Sequence, residues 1–264
     1  MRLLLARHSV GNYSLWANTA IWWGVGTNLH RTPYNARNHE YFSEDAVLTA
    51  GQGAAIIKAG HEYGVLIAPK HLAFNDTEIN RTGIAEFMTE QAARENELRG
   101  TQSCIEDANA LAVMTTYNRV GCVTSNAHTG LLLNILHKEW GFKGLMSEDF
   151  IQDPAYTKIH MAVHNGVTMT CNTGDNTMAA VWPYWSVENA SQSEELLTDL
   201  KQAMLYQNYA LANSNAMDGM STTTHIEKLN TWYDNLITGL RIGFGVLTVL
   251  CAAMYLLGLK KKEQ

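Results

Sequence analysis

The chain has 264 residues, 46% of them apolar, and a formal net charge of −6 at pH 7. This length and apolar share suffice for one globular domain with its own buried core, with residues to spare for further segments. The acidic balance excludes a nucleic-acid partner, because phosphate backbones are bound through a basic surface.

The first half of the chain alternates short apolar runs with helical patterns. Strands are predicted at residues 24–30, 65–68 and 111–115, and helices at residues 46–63 and 84–98. Gly64 follows the first helix at the position where a helix C-cap favours glycine. This order of strands and helices predicts an α/β fold. Residues 1–7 contain too few apolar side chains for a secretory signal.

The most informative stretch is residues 141–150. A tight turn, Gly141-Phe142-Lys143-Gly144, leads into a short apolar strand that ends on Asp149. In a (β/α)8 barrel the carboxyl ends of the strands carry the catalytic residues, so this acid is a candidate for one. The alternative role for an acid at this position is to cap the following helix.

The predicted strands are too few for a closed barrel. Residues 163–170 are the last strand candidate, which brings the count to about five, short of the full complement of a (β/α)8 barrel. If the α/β fold is of the kind in which strand-end acids are catalytic, we expect a partial TIM-type (β/α)8 barrel. Its first strands are missing, or they are disguised in residues 1–20.

The C-terminal end has the composition of a membrane span. Residues 242–259 are 18 uncharged, mostly apolar residues, which as a helix extend about 27 Å, close to the hydrocarbon thickness of a bilayer. Arg241 precedes this run and the lysines at 260–262 follow it, which marks the cytoplasmic side. The pattern predicts a single-pass protein of the cell membrane with the barrel on the extracytoplasmic side. A buried terminal helix of a soluble protein is the alternative.

The expected domains are a barrel at residues 1–218, a polar linker at 219–235, and a transmembrane helix with a basic tail at 236–264. Four stretches of the barrel region, in the same order, resemble motifs of glycoside hydrolase family 3, the β-glucosidase family. They are residues 28–45, 70–75, 113–118 and 139–150. The resemblance covers residues 20–218 and includes a closing segment, residues 212–218, found in some members.

This resemblance implies a retaining β-glycosidase that forms a covalent glycosyl–aspartate intermediate. The implied substrates are β-linked glucosides or oligosaccharides, and neither a cofactor nor a metal is implied. Asp149 would be the catalytic nucleophile, because it matches the end of the family's nucleophile strand. Arg37, Lys70 and His71 would bind sugar hydroxyl groups, and Tyr117 would stand beside the nucleophile as a hydrogen-bond donor.

The residue types suit these roles. Guanidinium, ammonium and imidazole groups are fixed donors for a ring of hydroxyls, and positive neighbours favour the ionised form of Asp149. Outside these motifs, such side chains are more often ordinary salt-bridged residues, and a tyrosine such as Tyr117 is as often a plain core residue.

Glu148 departs from the family pattern, which has Ser or Thr before the nucleophile. Consecutive strand residues point to opposite faces, so if Asp149 faces the pocket, Glu148 is expected to face away as a solvated or helix-facing acid. Glu148 is therefore not predicted to be the second carboxyl group of a retaining mechanism. Its presence leaves the pKa of Asp149 open.

Two parts of a complete family member have no recognisable counterpart in the sequence. They are a substrate-binding Asp on an early strand and the acid/base Glu of a separate α/β-sandwich domain. We therefore expect a piece of an enzyme whose sandwich domain precedes the barrel, as in members with inverted domain order. Met1 is then an internal methionine or a misplaced start. The alternative function is a catalytically inactive membrane protein that binds carbohydrate or a partner.

Weaker candidates lie elsewhere. His160 and His164 have the i, i+4 spacing of a helical metal pair, but the residue after His160 is not the glutamate of a His-Glu-x-x-His site, so no metal is predicted. The four cysteines contain no Cys-x-x-Cys pair, which argues against zinc and against a disulfide framework. The polar loop at residues 172–176 fits either the wall of a sugar pocket or an ordinary βα loop. Trp182 and Trp185 fit either stacking on a sugar or packing against a neighbouring segment.

Overall fold

The computed structural model of the chain describes residues 19–151, 153–171, 186–218 and 232–262. By its internal contacts the chain divides into two compact units, Met1–Asp218 and Gly219–Gln264. Several predictions lie outside the described residues: the loop at 172–176, Trp182, Trp185, strands hidden before residue 19, and most of the polar linker.

Seven short strands are described in the first unit. They are β1 Ile21–Trp22, β2 Leu66–Ile67, β3 Ala85–Glu86, β4 Ala112–Met114, β5 Arg119–Val120, β6 Val123–Thr124 and β7 Leu145–Ser147. β1 pairs with β2, and β4 pairs with β7, both in parallel. Single parallel bridges continue this pairing and join Gly26 to Lys70, Leu72 to Thr115, and Ser147 to Met169. The strands β1, β2, β4 and β7 and the backbone at Met169 therefore form one parallel succession.

Helices connect these parallel strands. The described α-helices of the first unit are α1 Ala46–His61, α2 Glu90–Ala92, α3 Arg99–Glu106, α4 Pro154–Thr157, α5 Ile159–His164, α6 Val187–Gln192 and α7 Glu194–Ala212. Ala93–Glu97 and Gly130–Glu139 are π-helical, and Asn38–Glu40, Ser125–Ala127 and Asn215–Met217 are 3-10 turns. Asp45 caps α1, because its carboxylate accepts hydrogen bonds from the N–H groups of Val47 and Leu48.

The parallel strands β2, β4 and β7 are buried on both faces, and β1 is partly buried. One face packs into a cluster that includes Leu66, Ala112 and Leu145. The other face packs into the main core through Ile67, Val113 and Met146. Successive residues of each strand thus enter opposite clusters, which explains why these strands appear in the sequence as continuous apolar runs.

A small second sheet interrupts the α/β order. β3 pairs in parallel with β5, and β5 pairs antiparallel with β6. The helix predicted at residues 84–98 is therefore wrong at its start, because Ala85 and Glu86 form β3. Helix α2 begins at Glu90, where Oγ1 of the N-cap Thr89 accepts a hydrogen bond from the N–H of Ala92.

The strand predicted at residues 163–170 is wrong over most of its length. Val163 and His164 belong to α5, and Met169 alone bridges to β7. The α/β prediction itself is confirmed, since four other predicted strands lie at or near β1, β2, β4 and β7. The described residues form an open parallel arrangement rather than a closed barrel.

The second unit contains one long described helix, α8 Trp232–Lys262. Its segment Trp232–Tyr255 has 24 residues and contains an 18-residue window with a mean hydropathy of 1.9. Among the described residues it is the one stretch that is long and apolar enough to cross a membrane. None of this segment is buried within the protein. The span predicted at residues 242–259 lies inside α8.

Candidate active site at the strand ends

Strand β7 is followed directly by two carboxyl groups, Glu148 and Asp149. The Asp149 side chain is 13% exposed. Its Oδ1 accepts a 2.8 Å hydrogen bond from the N–H of Phe150, and its Oδ2 lies 3.7 Å from Nε2 of His71. The acid predicted as nucleophile is therefore held at the end of a central parallel strand, with both oxygens facing potential donors.

Burial raises the pKa of Asp149. The hydrogen bond from Phe150 and the positive charges of Arg81, Arg37 and Lys70 act in the opposite direction and lower it. The cations thus favour ionisation as expected, but the cost of burying the charge is larger than their combined effect in this structure.

His71 is buried and its backbone is fixed by one side chain. Nδ2 of Asn28 donates to the carbonyl oxygen of His71 at 3.0 Å, and the N–H of His71 donates to Oδ1 of Asn28 at 2.7 Å. Burial lowers the pKa of His71 well below its usual range, and nearby cations, including Lys70, act in the same direction. The imidazole is therefore neutral at pH 7 and offers one N–H donor.

Arg37 and Lys70 meet at the carboxylate of Glu40. Nη2 of Arg37 lies 2.6 Å from Oε2 of Glu40, and Nζ of Lys70 lies 3.5 Å from the same oxygen. Arg37 also contacts Glu78 at 3.2 Å. Hydrogen bonds from Arg37 lower the pKa of Glu40, which is ionised as a result. Both predicted sugar-binding cations are thus salt-bridged, although each keeps further N–H donors.

Tyr117 lies beside the segment that carries the nucleophile. Its hydroxyl donates to the carbonyl oxygen of Phe150. The guanidinium of Arg81 lies 4.1 Å from the centre of its ring, and the hydroxyl of Tyr156 donates to its carbonyl oxygen at 2.6 Å. Burial raises the pKa of Tyr117, and the charge of Asp149 adds to this effect, so the hydroxyl stays protonated.

Glu148 is buried, with 2% of its surface exposed. The expectation that Glu148 is a solvated acid is therefore wrong. Its side chain faces a short 3-10 helical turn instead, where Nδ2 of Asn126 lies 3.4 Å from Oε1 of Glu148. Glu148 and Asp149 line the same small cavity. β7 ends at Ser147, so strand alternation does not decide where either carboxyl group points.

Several neighbours of the site were not predicted from the sequence. Arg81 contacts Tyr117 and forms a 2.8 Å ion pair with Glu78. Glu40 joins Arg37 to Lys70, and Asn28 fixes His71. Glu78 and Arg81 lie three positions apart, shortly after the Lys70-His71 motif, and this spacing could have indicated their ion pair.

Outside this site, one group of potential metal ligands occurs among the described residues. Nδ1 of His164 lies 3.1 Å from Oδ2 of Asp199 and 3.7 Å from Oε1 of Glu195. An exposed histidine between two carboxylates is accounted for by ordinary ion pairing. We assign no metal to this group.

The first unit consists of parallel strands joined by helices, and its ionisable side chains gather where the strands end. This arrangement is typical of the α/β domains whose active site lies at the strand ends. Residues 26–205 match the family model "Glycosyl hydrolase family 3 N terminal domain". The chain therefore belongs to glycoside hydrolase family 3.

Relatives and solved structures agree with this assignment. The chain is 38% identical over 171 residues to a β-glucosidase of Ruminococcus albus, covering 60% of this chain and 18% of the relative. It is 32% identical over 164 residues to β-glucosidase A of Butyrivibrio fibrisolvens, covering 62% of this chain and 20% of the relative.

The structure of β-glucosidase 3B from Thermotoga neapolitana is similar with a TM-score of 0.72 at 22% identity, covering 81% of this chain and 30% of that one. The family 3 β-glucosidase of Bifidobacterium adolescentis gives a TM-score of 0.71 at 20% identity, covering 86% of this chain and 32% of that one. At these identities the structures show the shared fold. The chain spans about a fifth of the length of the Ruminococcus and Butyrivibrio β-glucosidases.

Proposed function

We propose that the chain carries the nucleophile part of a retaining β-glycosidase, with Asp149 as the nucleophile. The position of Asp149 supports this most: a partly buried carboxylate at the end of a central strand, with one oxygen bonded to the Phe150 N–H and the other facing His71. The β-glucosidase relatives support β-linked glucosides or oligosaccharides as the substrates.

In the proposed first step, a carboxylate oxygen of Asp149 attacks the anomeric carbon of the sugar. A C1–O bond to Asp149 forms, the C1–O bond to the aglycone breaks, and its electron pair leaves with the aglycone oxygen. Water then releases the sugar from the covalent glycosyl–aspartate. The attack requires ionised Asp149, a form that Arg81, Arg37 and Lys70 favour against the effect of burial.

We further propose that Arg37, Lys70 and His71 bind the hydroxyl groups of the cleaved sugar. Their placement supports this, since His71 faces Asp149, and both Arg37 and Lys70 lower the pKa of Asp149 through their charge. Glu40 and Asn28 hold these donors in place before a sugar binds. Preformed donors of this kind avoid reorganisation during the reaction.

A retaining mechanism also needs an acid that protonates the leaving oxygen, about 5–5.5 Å from the nucleophile. Of the residues that line the cavity beside Asp149, Glu148 has the other carboxyl group, but it is buried against Asn126. We propose that the acid/base comes from an α/β-sandwich domain outside the described residues. A domain that binds carbohydrate without turnover is the second candidate. It is favoured by the burial of Glu148, the one other carboxyl group that the described residues place on this cavity.

We propose that α8 anchors the barrel in the cell membrane as a single span, with the barrel on the extracytoplasmic side. The length and hydropathy of Trp232–Tyr255 support the span. The lysines at 260–262 support the orientation. The corresponding domain boundaries are residues 1–218, 219–235 and 236–264.

The proposed division of the two carboxyl groups is tested with two substrates. General acid catalysis is worth roughly 10²- to 10⁴-fold, so the chain should leave cellobiose almost untouched. It should turn over a dinitrophenyl β-glucoside, whose leaving group needs little protonation, and Asp149→Asn should abolish this turnover. Equally efficient hydrolysis of both substrates would show that the acid lies within these 264 residues. Sugar binding without turnover of either substrate would favour the second candidate.

A further inference from the structure

Glu148 lies immediately before the proposed nucleophile, and its carboxyl group has few polar contacts among the described residues. Its surface is 2% exposed, and within the described part of the chain the one hydrogen bond to its carboxyl oxygens is the 3.4 Å contact from Nδ2 of Asn126 to Oε1. Oε2 is buried without a hydrogen-bond partner among the described residues. A carboxylate in such surroundings is much more costly than a neutral carboxyl group.

The groups around Glu148 do not compensate a negative charge there. Asp149 is adjacent in the chain, and Tyr117 and Tyr156 line the same cavity of about 10 Å³, which has room for a single water molecule. Cys171 is the further titratable neighbour, since the charges of Asp149 and Glu148 raise its pKa, after the larger effect of burial. Arg81 lies over Tyr117 but acts on Asp149 rather than on Glu148.

Burial raises the pKa of Glu148 to about 8, and the hydrogen bond from Asn126 opposes this only weakly. The carboxyl group is therefore neutral at pH 7. When it loses its proton, the charge has to reach water or a cation, and the backbone that also carries Asp149 must move for this to happen.

We infer that Glu148 is a positioning residue: its neutral, buried form holds the turn after β7 in the geometry from which Asp149 reacts, and loss of its proton releases that turn. The inference rests on the proposed role of Asp149. It predicts that the reaction rate falls at alkaline pH because Glu148 loses its proton, although Glu148 is not proposed to bind the sugar.

The test uses the full chain and a dinitrophenyl 2-deoxy-2-fluoro-β-glucoside. Capture of the fluorosugar by Asp149 releases one equivalent of dinitrophenolate and needs no general acid. The capture rate of the unchanged chain should be level near pH 7 and fall above about pH 8, approaching tenfold per pH unit. Glu148→Gln, which stays neutral at every pH, should remain level beyond that point. Glu148→Ser should be slower at all pH values but should lack the alkaline fall.

A fall of the same size and midpoint in Glu148→Gln would overturn the inference. Amide hydrogen exchange of the peptide covering residues 145–151 provides a reading that does not depend on activity. After correction for intrinsic exchange, this peptide should lose protection between pH 7 and pH 9 in the unchanged chain and keep it in Glu148→Gln. Equal loss in both chains refutes the release of the turn. If protection is lost only in the unchanged chain but the fluorosugar is not captured at any pH, the role of Asp149 is refuted instead.

Discussion

The buried acids Glu97 and Asp76 share the guanidinium of one partly exposed arginine. Nη1 of Arg31 lies 2.9 Å from Oδ2 of Asp76 and 3.0 Å from Oε1 of Glu97. Burial raises the pKa of both carboxyl groups, and the charge of Asp76 raises that of Glu97 further, to about 7. A single arginine therefore does not hold both acids ionised at neutral pH.

This cluster makes the stability of the chain depend on pH. Between the usual pKa of 4.5 and about 7, the unfolded chain releases the Glu97 proton while the folded chain keeps it. The stabilisation by Glu97 is complete below pH 4.5 and is lost as the pH rises to about 7, by at most about 1.4 kcal/mol per pH unit. Glu97→Gln should remove this part of the decrease.

Urea unfolding at several pH values measures the effect. The matched control is Glu95→Gln, because Glu95 is exposed and lies in the same π-helical segment. The control should follow the unchanged chain at every pH. If the curve of Glu97→Gln also ran parallel to that of the unchanged chain, Glu97 would be ionised in the folded state at pH 7.

At the scale of single residues, the sequence indicated which side chains to examine but not their surroundings. Asp149 is recognised from its motif and its position after an apolar strand. The burial of Glu148 was missed because it depends on Asn126, which lies 22 positions earlier in the chain. The contacts of Arg37 with Glu78 and of Lys70 with Glu40 were missed for the same reason. Glu40 lies only three positions after Arg37, but a charged residue in a motif does not reveal which acid it meets.

At the scale of elements, Gly144 decides whether β7 can lie against β4. A Cβ at this position would lie 2.2 Å from the carbonyl oxygen of Leu111 and 2.4 Å from its carbonyl carbon. The neighbouring Leu145 N–H donates to that same oxygen at 2.9 Å. Backbone atoms cannot yield as a flexible side chain can, so only glycine permits this approach.

Gly144→Ala should lower the free energy of unfolding by about 3 kcal/mol, near the upper end of overpacking costs. Gly121→Ala is the matched control, because its Cβ would meet nothing within 4 Å and its φ of +61° is the only obstacle. The control should cost about 1–2 kcal/mol. Urea unfolding compares the two. Equal losses would mean that β7 can shift away from Leu111 at little cost.

The order of strands and helices was predictable because buried parallel strands appear as short apolar runs between helical patterns. Element ends were less predictable. Residues 84–88 fit a helical stripe, but tertiary pairing with β5 makes Ala85 and Glu86 a strand. Residues 163–170 are apolar enough for a strand, yet Val163 packs in α5 beside Ile159. Periodicity in so short a run does not separate the two outcomes.

At the scale of the whole molecule, the second unit should determine where the protein is found. The segment Trp232–Tyr255 exposes apolar side chains over its full length and is not buried by the described residues. We expect the full chain to stay with membranes after a carbonate wash and to need detergent for release. A chain ending at residue 231 should be soluble. Recovery of the full chain in the carbonate supernatant would contradict a membrane span.

The central claim is that Asp149 attacks the sugar, and covalent trapping tests it most directly. A 2-fluoro substituent slows hydrolysis of the glycosyl–aspartate, and a dinitrophenolate leaving group lets it form without the general acid. After incubation of the full chain with dinitrophenyl 2-deoxy-2-fluoro-β-glucoside, intact mass should increase by one fluoroglucosyl group. Peptide mapping should place that group on Asp149, and Asp149→Asn should remain unlabelled. An adduct on another residue, or equal labelling of Asp149→Asn, would contradict the assignment.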